Sequence, residues 1–284
     1  MCRFLVYVGD EILLADLLTR PKHSLITQSF RSKERPEPLN GDGFGIGWYR
    51  EGDPVPCLFT AITPAWGNQN LHRLAEKLNS TCIFAHLRAA SEGLIVSEIN
   101  CHPFQYQELL WMHNGRIVGF ERIKRSLREG LSDELYNFIQ GTTDSEHAFA
   151  LFLHYLLSGG PNYGLAEMKA AMLATIRHLD TLTEPFDQQD PSMYNFAVTD
   201  GRNVVTTRYS SDPVEKTPET LYFSKVGHFH CNEDEGKICL ETGPTTAIII
   251  ASEPLTPDQR TWQAVPPNHI VTVDKELNLT LDAI

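Results

Sequence analysis

The sequence predicts an α+β fold in which antiparallel sheets and helices occupy separate layers. Three observations support this prediction: short strand-like runs come first, two helical segments follow in the middle, and strand-like runs then return. Regular alternation of strands with helices would instead predict a parallel sheet. The chain shows no internal repeat, low-complexity tract or linker, so residues 2–284 are predicted to form a single domain.

The first half of the chain begins with an apolar run at residues 2–8, which predicts a strand. Asp10 is expected to cap a short leucine-rich helix that ends at Arg20-Pro21. Residues 21–42 are rich in proline and polar residues, and we expect a long surface loop of a kind that is often functional. Four further strands, rich in β-branched or aromatic residues, are predicted at 44–49, 55–61, 81–87 and 108–113.

Two helices are predicted in the middle of the chain. Residues 145–157 place apolar side chains along one face, and Thr143-Asp144 before them supplies a cap. Residues 164–182 form the second predicted helix. Strands then return on both sides of Asp200-Gly201, which is a strong hairpin signal, and again near the end of the chain. These strands are predicted at 194–199, 204–209, 246–251 and 270–273.

Charge and composition exclude several classes of protein. The chain has 284 residues and a formal net charge of −12, whereas nucleic acids and anionic membranes require a basic surface. No apolar run reaches the roughly 18 residues of a membrane span, and residues 2–8 are too short for a signal-peptide core. We therefore expect a cytoplasmic protein that binds neither nucleic acid nor membrane, with its six cysteines reduced.

Cys2 is the most informative single residue. Once Met1 is removed, Cys2 carries both a thiol and a free α-amine, whose unperturbed pKa near roughly 8 lets it act as a general base. N-terminal nucleophiles use this chemistry without a catalytic histidine. The alternative is that Cys2 is an ordinary small apolar residue at the start of a strand. Position 2 alone leaves both interpretations open.

Five separated motifs add groups that suit acyl transfer. Arg88 can form a forked contact with a carboxylate, Asn114 and Gly115 offer the donors of an oxyanion hole, and Asp144 brings a carboxylate to a helix start. Taken singly, Arg88 could be a surface charge, Asp144 a helix cap and Asn114-Gly115 a hairpin turn. The motifs are, in order, Asn40-Gly41-Asp42-Gly43-Phe44-Gly45, Ala85-His86-Leu87-Arg88-Ala89, Asn100-Cys101-His102-Pro103-Phe104, Trp111-Met112-His113-Asn114-Gly115 and Thr143-Asp144-Ser145-Glu146.

In this order and behind Cys2, the motifs resemble those of the class II glutamine amidotransferases, which are N-terminal nucleophile hydrolases. The resemblance implies a four-layer αββα sandwich and no cofactor. It implies that Cys2 is nucleophile and base, and that Asn114 and Gly115 form the oxyanion hole. It also implies that Arg88 binds the α-carboxylate of a glutamine-like substrate and Asp144 its α-ammonium, with His86 of the same His-x-Arg motif among the substrate-binding residues.

The rest of the chain is too short for a fused synthetase, so it resembles the free-standing branch of that family. This branch includes γ-glutamyl hydrolases of ergothioneine synthesis and of glutathione breakdown. The predicted function is hydrolysis of a γ-glutamyl amide through a thioester on Cys2. Two alternatives stay open: a glutaminase subunit that supplies ammonia to a separate protein partner, and an inactive amidase-like subunit that binds a partner.

Two remaining motifs receive simpler interpretations. Ser158-Gly159-Gly160 resembles the pyrophosphate-binding loop of asparagine synthetases, but Pro161-Asn162 replaces the acidic and hydroxyl residues, so we predict a turn that ends a helix. His228-Phe229-His230-Cys231 with Cys239 has zinc-ligand residue types at spacings that fit no standard finger. We predict a hairpin with a long tip there, and no metal.

Overall fold

A computed structural model describes residues 2–34, 39–89, 96–186, 190–232, 237–241, 244–257 and 259–284, without the side chains of 228–243 and 259. The helices are α1 (Leu14–Leu18), α2 (Leu25–Gln28), α3 (Gln69–Ala75), α4 (Phe120–Glu129), α5 (Asp133–Phe138), α6 (Asp144–Ser158) and α7 (Leu165–Thr183). The strands of the first half are β1 (Arg3–Leu13), β2 (Phe44–Arg50), β3 (Asp53–Ala61), β4 (Asn79–Leu87), β5 (Phe104–Tyr106) and β6 (Leu109–Arg116). Those of the second half are β7 (Met193–Thr199), β8 (Val204–Arg208), β9 (Tyr222–Val226), β10 (His228–Asn232), β11 (Lys237–Glu241), β12 (Ala247–Ala251), β13 (Gln263–Ala264), β14 (His269–Val273) and β15 (Leu279–Ala283).

The strands form two large antiparallel sheets. The first sheet has the order β13-β9-β12-β1-β4-β2-β3, which places the N-terminal strand at its centre. The second sheet has the order β15-β14-β8-β7-β6-β5. Strands β10 and β11 pair as a separate hairpin, as the sequence predicts for that segment.

Three hydrophobic clusters separate four layers. One cluster joins the outer face of the first sheet to α1, α2 and α3. The second lies between the sheets and includes Phe4, Phe84, Met112 and Ile250. The third joins the other face of the second sheet to α4–α7 around Trp111. Because each sheet is covered by helices on one face and by the other sheet on its second face, the predicted αββα sandwich is confirmed.

The predicted strands and the two long helices are confirmed, with ends that shift by a few residues. The expected role of Asp10 is wrong, because β1 continues through Asp10 to Leu13. A bulge after Val8 lets Ile12 and Leu13 resume pairing with β4, and helix α1 starts at Leu14 with no side-chain cap. Among the described residues, no helix has both the length and the apolar character needed to cross a membrane.

The expectation of a surface loop over residues 21–42 is confirmed only in part: Arg31, Lys33 and Glu34 are exposed, but much of the rest of the segment is buried. It contains the short helix α2, and His23, Gln28 and Asn40 are buried. Residues 35–38 lie outside the described residues. The segment packs because its polar groups find partners inside the protein, including the carboxylate of Glu253, which contacts His23.

Candidate active site

Cys2 immediately precedes β1, the central strand of the first sheet. The pairing of Arg3 with Leu87 brings the residues that follow β4 beside it. The Cys2 Sγ is 3.4 Å from the backbone nitrogen of Ala89 and 3.6 Å from its carbonyl oxygen. Alternation along β1 puts Cys2 on the side of Phe4, which faces the second sheet. Cys2 is partly exposed.

Arg88 precedes Ala89, whose backbone contacts the Cys2 thiol, and it is not the surface charge that one interpretation allowed. Its side chain is only 3% exposed. Its backbone N–H donates to the Gly43 carbonyl at 2.9 Å, and its own carbonyl accepts from the Asp42 N–H at 3.2 Å. Gly43 has φ +121°, and a Cβ there would lie 2.8 Å from the Ala61 carbonyl oxygen. The glycine-rich motif is therefore a turn packed against the end of β4.

His86 connects the two sheets at the same end of the sandwich. Its Nε2 lies 3.2 Å from the carbonyl oxygen of His113 in β6. Burial lowers the pKa of His86 to about 3, so the ring is neutral and its Nε2–H donates to that carbonyl. The ring packs on His102, with centroids 4.2 Å apart. The structure thus places His86 against the backbone next to Asn114, and its predicted contact with substrate stays a prediction.

Asn114 and Gly115 lie within β6, opposite Asn195 and Tyr194, so the hairpin-turn interpretation is wrong. The Asn114 side chain is fully buried. Within the part of the chain that the structure describes, neither its amide nitrogen nor its oxygen has a hydrogen-bond partner. Gly115 has φ +153°, and a Cβ there would clash with the Met193 carbonyl oxygen. A buried amide donor left without a partner suits a developing oxyanion.

Asp144 is the first residue of α6, but it does not cap the helix. The cap is Thr143, whose hydroxyl accepts from the Glu146 N–H at 3.3 Å. Asp144 Oδ2 instead accepts from the Ile117 N–H at 2.8 Å, and Oδ1 accepts from the Ser145 hydroxyl at 3.1 Å. Asp144 is half-buried.

A series of contacts links the predicted site residues. The Cys2 thiol meets Ala89 after β4, His86 of β4 reaches β6, and the end of β6 meets α6 through Asp144. These contacts connect the ends of β1, β4 and β6 and the start of α6. Thiol, guanidinium, amide and carboxylate are the groups that binding and cleaving an amino-acid amide require.

A polar cluster next to Cys2 was missed by the sequence reasoning. Arg3 Nε donates to Glu253 Oε1 at 3.1 Å, and its NH1 donates to the side-chain oxygen of Asn40. His23 and Ser32 also contact the Glu253 carboxylate. We call these five residues the Glu253 cluster. The one sequence signal was a charged Arg3 inside an apolar strand; nothing local pointed to a partner 250 residues away.

The hydrogen bonds of the Glu253 cluster explain why the buried carboxylate of Glu253 is ionised. Burial alone would raise the pKa of Glu253. Hydrogen bonds from His23, Ser32 and the Lys33 N–H, with the charge of Arg3, lower that pKa to about 2. Through these contacts the Glu253 cluster connects β1 with the 21–33 segment and with Asn40, which begins the glycine-rich motif.

Two other predictions concern the rest of the chain. As predicted, Ser158 and Gly159 end helix α6. The side chains of His228-Phe229-His230-Cys231 and Cys239 lie outside the described residues, so they stay untested as ligands. In the described ranges, no group of three or more His, Cys, Asp or Glu residues could hold a metal ion.

Similarity to solved structures supports the fold. A glutamine aminotransferase class-II domain protein from Silicibacter pomeroyi superposes with a TM-score of 0.69 at 24% identity, covering 100% of this chain and 99% of its own. The glutamine phosphoribosylpyrophosphate amidotransferase of B. subtilis superposes with a TM-score of 0.60 at 16% identity. That match covers 99% of this chain and 49% of the B. subtilis protein.

Sequence relatives extend the comparison. The probable glutamine amidotransferase DUG3 of Saccharomyces cerevisiae is 45% identical over 97% of this chain and 82% of its own length. The γ-glutamyl-hercynylcysteine sulfoxide hydrolase of Mycobacterium tuberculosis is 31% identical over 40% of this chain and 49% of its own. The family model for class II glutamine amidotransferases matches residues 14–281. The resemblance seen in the sequence motifs is confirmed: the chain belongs to the class II glutamine amidotransferases.

Proposed function

We propose that this protein hydrolyses a γ-glutamyl amide through a thioester on Cys2, after removal of Met1. Its family makes it an amidohydrolase, and one relative is named as a γ-glutamyl hydrolase. The observation that carries the proposal is the thiol of Cys2 in contact with the residue that follows the buried Arg88. The pairing of β1 with β4 thereby brings together a segment that carries a nucleophile and a segment that carries a cation for the substrate.

The substrate class follows from the charges of the site. A γ-glutamyl compound presents an α-carboxylate, an α-ammonium and a distant amide carbonyl. Arg88 is suited to bind the carboxylate because its planar guanidinium can donate two parallel hydrogen bonds. Asp144 is suited to bind the ammonium, because its carboxylate is half-buried and oriented by Ile117 and Ser145. Both ends of the amino-acid head are then fixed by opposite charges.

The chemistry needs only groups of this chain. The free α-amine of Cys2 takes the thiol proton, and the thiolate attacks the amide carbonyl. The oxyanion receives hydrogen bonds from the Asn114 side chain and the Gly115 N–H. The amine leaves with the proton held by the α-amine, and water then cleaves the thioester to release the γ-carboxylate. No cofactor takes part, and His86 acts by holding the backbone that precedes Asn114.

Two alternatives to a self-sufficient hydrolase stay open. In one, the protein is a glutaminase that passes ammonia to a separate protein partner; in the other, it is an inactive amidase-like binding subunit. We favour a self-sufficient hydrolase formed by one domain: one relative is named as a hydrolase, and the presence of the nucleophile, both charges and the oxyanion donors in this chain argues against an inactive subunit. We also propose a cytoplasmic location, where a nucleophilic thiol stays reduced.

A panel of γ-glutamyl substrates tests the proposal. The purified protein is assayed for glutamate release from glutamine and γ-glutamyl dipeptides, with intact mass measured on the same sample. We expect glutamate release and a mass without Met1, because an acylated Cys2 nitrogen has no basicity. Full activity with Met1 retained would refute the base assigned here. Release that requires an added partner would favour the ammonia-donor alternative, and no release under any condition would favour the inactive subunit.

A further inference from the structure

Behind Asp144, a series of hydrogen-bonded groups continues through Ser145 to the ring of His113, which has no role in the proposed mechanism. The Ser145 hydroxyl is 3.1 Å from Asp144 Oδ1 and 2.9 Å from Nδ1 of His113. The other ring nitrogen of His113 is 3.0 Å from the Met193 carbonyl oxygen. Ser145 and His113 are both buried. Only the Asp144 end of this chain of groups is open enough to meet a ligand.

Among themselves, these hydrogen-bonded groups are one hydrogen short. A carbonyl only accepts, so the Nε2 of His113 must carry the hydrogen that Met193 receives. Burial lowers the pKa of His113, against the opposing charge of Asp144, so the ring is neutral and its Nδ1 accepts. An ionised Asp144 also only accepts. The single hydrogen of Ser145 therefore lies between two acceptors and can serve only one of them.

The geometry around the chain holds this arrangement in place. The Phe196 ring packs on the His113 ring with centroids 4.7 Å apart. A Cβ at Gly115 would lie 2.8 Å from the His113 Nε2. On the far side, the Ile117 N–H occupies Asp144 Oδ2. Oδ1 is thus the carboxylate oxygen whose present donor, a rotatable hydroxyl, can turn away in favour of a new donor.

We propose that Ser145 and His113 are positioning residues that reserve Asp144 Oδ1 for the α-ammonium of the substrate. On binding, the ammonium donates to Oδ1, and the Ser145 hydroxyl turns its hydrogen to His113 Nδ1. Every donor and acceptor of this series is then satisfied, and a positively charged donor is favoured at Oδ1 over a neutral one because the acceptor is a carboxylate. This inference rests on the proposed function, since it assumes that the substrate carries an α-ammonium.

The proposed role of Ser145 and His113 predicts that removal of the Ser145 hydroxyl lowers kcat/KM only for substrates that carry an α-ammonium. Without the Ser145 hydroxyl, binding of the ammonium no longer satisfies His113. A substrate that lacks the ammonium gains nothing from the chain in either form of the protein. A purely structural role for Ser145 would instead affect both substrates alike. The ratio of kcat/KM for the two substrates therefore isolates the proposed role, even if a variant preparation contains less active protein.

The experiment compares two substrates of the full-length protein: glutamine, and glutaramate, which is glutamine without its α-amine. The release of ammonia from each substrate is measured. We expect Ser145→Ala to raise the KM for glutamine by about tenfold, the usual effect of one hydrogen bond near a charge. The kcat/KM for glutaramate should stay within about twofold, a difference within ordinary context effects. Ser145→Thr, which keeps the hydroxyl, should restore the preference for glutamine. Ser158→Ala, at the other end of the same helix, is the matched control and should behave as wild type.

Failures of the two proposals are distinguishable. If the wild type prefers glutamine and Ser145→Ala keeps the full preference, the positioning role is refuted while the proposed function stands. If the wild type hydrolyses both substrates equally well, Asp144 binds no ammonium, and that part of the proposed function fails as well.

Discussion

Asp144 Oδ2 accepts the backbone N–H of Ile117 at 2.8 Å, across the gap between the start of α6 and the end of β6. This contact sets the direction of the carboxylate, whereas Thr143 performs the capping of the helix. An acidic residue at a helix start can both cap the helix and present a charge. Here Thr143 caps the helix, and Asp144 presents the charge. A substitution at Asp144 therefore changes the charge of the site without removing the helix cap.

Asp144→Asn should lower kcat/KM for a γ-glutamyl substrate by at least about tenfold, since a desolvated charge pair typically contributes a few kcal/mol. The asparagine oxygen can still accept from Ile117, so thermal unfolding should stay close to wild type. N-acylglutamine should likewise be a poor substrate of the wild type, since it has no ammonium. Efficient cleavage of N-acylglutamine, or wild-type kinetics in Asp144→Asn, would contradict the assignment.

Arg88→Lys should be poorly tolerated although it conserves the charge. Lysine cannot form two parallel hydrogen bonds to a carboxylate, so we expect kcat/KM to fall at least about tenfold. Steady-state kinetics with glutamine check this result. Arg202→Lys is a suitable control because Arg202 is exposed at the turn after β7. Equal activity of the two variants would refute a forked contact by Arg88.

Cys2→Ala should abolish hydrolysis and leave the fold intact. The change removes one sulfur from a partly exposed position at the start of β1, while the buried residues of the strand are unchanged. Binding of glutamine should survive, because Arg88 and Asp144 contact the head group independently of the thiol. Calorimetric titration with glutamine measures this binding. A parallel loss of binding and turnover would indicate a structural role for Cys2.

Glu253→Gln should destabilise the protein in a pH-dependent way. The folded pKa of about 2 lies below the ordinary 4.5, so the charge of Glu253 contributes stability above pH 4.5 that is lost as pH falls through 2. That contribution is roughly 3 kcal/mol at neutral pH. The variant also leaves the buried Arg3 without its carboxylate. Urea unfolding should show a large difference from wild type at pH 7.

The pH dependence distinguishes this explanation from a simple packing defect. Between pH 4.5 and 3.5 the difference in unfolding free energy between Glu253→Gln and wild type should shrink by about 1 kcal/mol. A constant difference across that range would show that the charge is not responsible. Glu76→Gln serves as control, because Glu76 pairs with Arg20 on the surface and should change stability little.

Much of the fold was predictable because its strands have local signals. The runs at 44–49 and 81–87 became β2 and β4, and Thr143 before an apolar helix was a reliable start signal. Helix α4 was missed because only Ile123 and Leu127 are buried on it, which leaves a narrow apolar stripe among charged residues. The bulge that extends β1 past Val8 depends on pairing with β4, which no local pattern reveals.

The candidate site divides in the same way. Cys2, Arg88, Asn114 and Asp144 could be named from motifs and their order, and the contacts between their segments are consistent with that choice. Glu253 could not be named, because its importance comes from burial beside Arg3 in the folded protein. The side chains proposed to bind the substrate lie in recognisable motifs. The residues that support them, such as Glu253, lie far from those motifs in the sequence.

The central position of β1 has a consequence for how the protein is made. One neighbour of this strand, β4, ends at Leu87, but the other, β12, begins only at Ala247. During synthesis from the N-terminus, the first strand therefore lacks one of its two partners until most of the chain has left the ribosome. Arg3 likewise meets Glu253, which follows β12, only after the late part of the chain has been made, so the ion pair beside Cys2 joins the first and the last quarter of the sequence.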